Sequence, residues 1–91
     1  MTAQEMFKKL NYECLEDHDN YIEYITKWID WYGKGVCEIV FDYNIKQIEI
    51  YCYIDRKEVN KENKNIDIVL SVEELQAINK QVEELGWNSE L

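Results

Sequence analysis

Proline is missing from this chain of 91 residues and glycine occurs only three times, so few positions are reserved for breaking regular structure. Basic residues are scarce too: 10 Lys and Arg stand against 19 Asp and Glu, a formal net charge of -9. That balance repels phosphate, excludes holding DNA, RNA or an anionic membrane by counterion release, and favours a basic partner. The three cysteines, Cys14, Cys37 and Cys52, are odd in number and widely spaced, with no CxxC and a single histidine, His18. Neither a disulfide framework nor a zinc site is indicated, and reduced thiols in a cytoplasm are expected. No stretch approaches the ~18 apolar residues that cross a bilayer, and the opening residues lack the basic and apolar regions of a secretion signal. Disorder is excluded by 46% hydrophobic and 13% aromatic content. The length allows one domain, residues 1–91.

Two helices are marked by their starts. Thr2 with Glu5 forms a capping box ahead of the stripe Ala3, Met6, Phe7 and Leu10, a helix ending near Asn11. Ser71 with Glu74 repeats the box ahead of Leu75, Ile78, Val82 and Leu85, with Gly86 placed to stop the helix in a left-handed turn and Trp87 to fold back. Between them the period is two. Cys37, Ile39, Phe41 and Tyr43 alternate with Glu38, Val40 and Asp42, and Ile48, Ile50, Cys52 and Ile54 alternate with Glu49, Tyr51, Tyr53 and Asp55. A turn at Asn44-Ile45 sets Ile39 opposite Ile50, Phe41 opposite Ile48 and Cys37 opposite Cys52. Residues 21–32 read as a further strand whose inward face Lys27 and Asp30 leave open. Gly33-Lys34-Gly35 reads as its hairpin, with Gly35 left-handed. Ile66, Ile68 and Leu70 supply a fourth strand, and Arg56 to Asn65 a solvated loop. The fold class is α+β: an antiparallel β-meander of three to four strands with an N-terminal and a C-terminal helix, α-β-β-β-β-α, the helices covering one face.

The opposite face carries the candidate site. In this register Glu38 lies across from Tyr51, Val36 from Tyr53, Val40 from Glu49 and Asp42 from Gln47, so acids alternate with large aromatics. The preceding strand adds Tyr24 and Trp28, or Lys27 and Trp31, according to its phase. Tyr and Trp anchor interfaces at low entropic cost, and carboxylates beside them select a Lys- or Arg-rich partner. A second group is Glu13, Glu16, Asp17, Asp19 and Glu23 around His18, read as an acidic loop that either is simply solvated or imitates a phosphate backbone, which bears one charge per ~1.7 Å of duplex axis. As a calcium loop it lacks the internal Gly and the distal Glu, so no metal and no cofactor are expected.

Catalysis finds no constellation. One His, Ser71 as a helix cap, Ser89 near the end and strand cysteines leave no nucleophile beside a base, and Gly33-Lys34-Gly35 precedes a strand where a phosphate cradle opens a helix. The chain is therefore expected not to be an enzyme.

The helical ends, from Thr2 to Tyr12 and from Ser71 to Trp87, resemble those of small acidic proteins encoded by phages and mobile elements of Gram-positive bacteria. The resemblance implies an inhibitor of host defence, of the anti-CRISPR type, which binds a basic host protein such as a CRISPR effector or other nucleic-acid enzyme in the host cytoplasm. It implies no particular site residue. The alternative is an accessory protein that forms a homodimer through its aromatic sheet face. Salt separates the two, since a charge-steered complex weakens with ionic strength and an aromatic dimer does not.

Overall fold

The computed structural model describes residues 1–30, 33–55, 64–65 and 68–87. Trp31, the stretch 56–63, Ile66 and Ser89, all named above, lie outside the described residues. The chain runs α1 (Ala3–Lys9), β1 (Glu13–Asp17), β2 (Tyr21–Asp30), β3 (Gly33–Asp42), β4 (Gln47–Asp55), β5 (Lys64–Asn65) and α2 (Val72–Glu84). The strands form one antiparallel sheet in the order β1-β2-β3-β4-β5, an α+β fold with a helix at each end of the chain.

Both capping boxes are present. The Thr2 hydroxyl accepts from Glu5 N–H at 3.1 Å while Thr2 N–H donates to Glu5 Oε1 at 3.1 Å. Ser71 and Glu74 repeat the exchange at 3.0 and 2.9 Å. Gly86 turns left-handed at φ 75, and the Trp87 ring returns to within 6.4 Å of Phe41. The β3–β4 register is the expected one, with Ile39 on Ile50, Phe41 on Ile48 and Cys37 on Cys52.

The core lies between the helices and one face of the sheet, where Phe7, Ile22, Tyr24, Ile39, Phe41, Ala77 and Ile78 meet. Phe7 stacks on Tyr24 with centroids 4.0 Å apart. The Tyr24 hydroxyl donates to Gln81 at 2.5 Å, which is why a glutamine can be buried there. The α1 N-terminus is tied to the end of α2 by Ala3 N–H donating to Glu84 at 2.8 Å.

Several expectations are corrected. The acidic stretch from Glu13 to Asp17 is an edge strand, not a loop, and only His18, Asp19 and Asn20 form the turn into β2. The phase of β2, left open above, is the one with Lys27 on the open face, since Ile22 and Tyr24 face the core. Gly35 is a strand residue paired with Trp28, while Asp30 on Gly33 closes the hairpin. Ile68 and Leu70 form no strand: their segment leads to Ser71, which with Val69 lines a hollow beside Thr26, Trp28 and Cys37, a route that crosses the helix face. The end of the expected solvated loop, Lys64–Asn65, is β5. Leu75 is 49% exposed, because the buried stripe of α2 is Ala77, Ile78 and Gln81. Cys37 and Cys52 are joined by a disulfide and not reduced; directly opposite on neighbouring strands, their Cα atoms stand 4.2 Å apart.

Candidate binding face

The face turned away from the helices is set by the same register. Odd-numbered β2 residues and even-numbered β3 residues share it with odd-numbered β4 residues, giving five rows across the sheet, of which the middle three carry the face. One runs Glu13, Ile25, Glu38, Tyr51; the next Lys27, Val36, Tyr53; the third Glu16, Glu23, Val40, Glu49. Among the described residues no helix packs on this side.

Ile25 and Val36 are nonetheless only 8% and 4% exposed. By register each stands between long side chains, Ile25 between Glu13 and Glu38 and Val36 between Lys27 and Tyr53. The face is thus a thin apolar spine flanked by carboxylates and tyrosines. Tyr51 is 48% exposed and its hydroxyl donates to Glu49 at 3.0 Å. That hydrogen bond, reinforced by the negative charge of Glu49, holds the phenol above its ordinary value. The half-buried Tyr53 donates to Glu38 at 3.3 Å. Each ring is therefore oriented by a carboxylate on its own face, which leaves the ring body to meet a partner.

The other expected site residues fall differently. Asp42 shares the open face by register, but its carboxylate accepts from Asn44 N–H at 3.0 Å and Ile45 N–H at 3.4 Å, closing the β3–β4 turn. Its role is structural. Glu16 pairs with Glu23 and Asp17 with Ile22, the register slipping between Cys14 and Glu16; the side chains of Glu16 and Asp17 lie outside the described part. Asp19 sits exposed in the turn, where the His18 and Tyr21 rings stack at 5.4 Å. The acids of this stretch are split between a strand and a turn and do not form one continuous array.

Sequence reasoning placed Val36 on this face but missed Ile25 and left Lys27 as one of two phases. Closing the hairpin at Asp30 and Gly33 would have found them, because that register sets Tyr24 on Ile39 and Ile22 on Phe41, aromatic and aliphatic together.

Hollows open elsewhere among the described residues. One of about 560 Å³ is lined by Gln4, Glu5, Lys8, Tyr12, Glu13 and Cys14, and one of about 310 Å³ includes Thr26, Trp28, Val69 and Glu74. Their linings hold no imidazole, and no cluster of three His, Cys, Asp or Glu suited to a metal occurs among the described residues. No described helix is long and apolar enough to cross a membrane. Comparison with known protein families, with curated proteins and with solved structures finds no match.

Proposed function

We propose that this protein is a non-enzymatic acidic binding protein whose open sheet face docks on a basic, nucleic-acid-handling protein and competes with nucleic acid for it. The observation that carries the reading is the face, clear of helices among the described residues, on which Glu13, Glu23, Glu38 and Glu49 surround Ile25, Val36, Tyr51 and Tyr53. Carboxylates steer a cationic surface into contact, and the tyrosine rings supply desolvated area once it arrives. The net charge of -9 agrees with a partner that otherwise holds phosphate. The likeness of the helical ends to phage and mobile-element proteins supports a particular form, an inhibitor of a host defence enzyme such as a CRISPR effector, acting in the host cytoplasm.

The test is capture from host lysate at low and high salt, followed by assay of the captured protein for DNA or RNA binding with and without this chain. Capture that fails at high salt, with loss of nucleic-acid binding on addition of the chain, is the expected result. A complex that survives high salt and contains only copies of the chain marks the homodimer instead.

A further inference from the structure

The two edges of the sheet are built differently. On one side the edge strand β1 is five residues long, slips register between Cys14 and Glu16, and is loaded with Glu13, Glu16 and Asp17. Short, bulged, charged edges resist an added strand. On the other side, among the described residues, β5 pairs with β4 at Tyr53 and Ile54 alone and Gln47 to Cys52 has no neighbouring strand. That stretch pairs with β3 without a slip and alternates Gln47, Glu49 and Tyr51 with Ile48, Ile50 and Cys52.

Backbone polarity on this edge follows from the pairing. The 4.2 Å between the Cα atoms of Cys37 and Cys52 is the spacing of a non-hydrogen-bonded antiparallel pair, and alternation gives Ile39 on Ile50 and Phe41 on Ile48 the same type. The N–H and C=O of Ile48 and Ile50 therefore point away from β3, toward the open edge.

We propose that the Gln47–Tyr51 edge of β4 is a strand-addition site for an extended segment in which apolar and cationic residues alternate. The inference rests on the acidic-face reading above and names the part of the partner that is bound. Apolar side chains opposite Ile48 and Ile50 extend the helix-side core, which Ile50 already joins and from which Ile48 stands 37% exposed. On the other face the intervening residues meet Glu49 and Tyr51. Lysine or arginine there neutralises the carboxylate and lies over the phenol ring. A second copy of the chain fits less well, because β4 carries no Lys or Arg and each copy adds a charge of -9.

The probe is a short capped peptide of alternating Lys and Val, titrated into the full chain by calorimetry and followed by amide shifts. Binding should perturb Ile48 and Ile50. In the antiparallel pairing the valine amides face β4 and the lysine amides face away, so N-methylation of the valines should weaken binding about tenfold or more and N-methylation of the lysines should leave it nearly unchanged. Ile48→Pro removes an outward N–H and none that β3 uses, so it should act like valine methylation. Equal affinity of the two methylated peptides overturns the proposal. So does equal binding of a peptide with its Lys and Val segregated into blocks, an outcome that leaves the acidic face standing; if neither peptide binds, both readings fall. Self-association of the chain that Ile48→Pro abolishes assigns the edge to a second copy and likewise overturns the proposal.

Discussion

The Trp28 indole occupies the space that a Cβ on Gly35 would need: in the paired strands β2 and β3 the two residues are direct neighbours, and the ring lies across the glycine. Gly35 is buried and its backbone is not left-handed. Glycine is required here by the close approach of a ring, not by a turn.

Gly35→Ala should accordingly destabilise the protein by about 1 to 3 kcal/mol, the range for overpacking, since the indole must leave its position. Urea titration followed by Trp fluorescence measures the loss. Trp28→Leu in the same background should recover much of it, and an alanine variant as stable as the parent would show that the ring moves freely.

The Cys37–Cys52 disulfide gives a second expectation. With Cys14 outside the bridge, thiol titration of denatured, unreduced protein should find one thiol, and three after reduction. The bridge spans a sequence separation of 15, for which loop closure in the unfolded chain is worth about 3 kcal/mol, so reduction should lower the melting temperature. Three thiols before reduction would refute the bridge.

Legibility in the sequence followed period and failed where tertiary contact decided. The β3–β4 hairpin was readable because both strands alternate cleanly, and its register placed Glu38, Glu49, Tyr51 and Tyr53 on one face correctly. β1 was hidden because Glu13, Glu16 and Asp17 have weak strand preference and the slip after Cys14 breaks the alternation. The Gly-Lys-Gly signal misled, since nothing local distinguishes a glycine kept for a turn from one kept under a ring. On α2 the hydrophobic stripe pointed to Leu75, whereas the hydrogen bond from Tyr24 draws Gln81 inward and rotates the buried side toward Ala77 and Ile78.

Tyr12 and Glu74 should set part of the pH dependence of stability. The Tyr12 hydroxyl donates to Glu74 at 2.6 Å. Burial first, and Glu74 second, raises the phenol well above its ordinary 10.0. For Glu74 burial pushes upward, but the hydrogen bonds from Tyr12 and Ser71 outweigh it and hold the carboxyl below 4.5. A lowered carboxylate contributes stability that is present above 4.5 and lost as pH falls through its folded value; a raised phenol contributes stability that is present below 10.0 and lost as pH rises through its folded value. Tyr12→Phe should cost about 1 to 3 kcal/mol at neutral pH, shift acid unfolding to higher pH and remove the alkaline contribution. Urea titrations across pH check this, and an unchanged acid limb would count against the pair.

Binding energy on the open face should be concentrated in the tyrosines. Tyr51→Ala or Tyr53→Ala should weaken the complex with the captured partner by about 1 to 3 kcal/mol, chiefly through faster dissociation, because a ring held by its neighbouring carboxylate enters the interface already oriented. Circular dichroism should show Tyr51→Ala folded like the parent, since Tyr51 is 48% exposed and lies outside the core. Reversing Glu38 and Glu49 to Lys removes the acceptors of both rings and should in addition slow association and flatten its salt dependence, since charge acts on encounter. Reversing Glu13, Glu16, Asp17 and Asp19 reports on the β1 edge and its turn, which share the face only in part, so the loss should be smaller than for Glu38 and Glu49. Surface plasmon resonance at two ionic strengths resolves these effects. If every variant stays folded and binds as the parent does, the acidic-aromatic face is not the site.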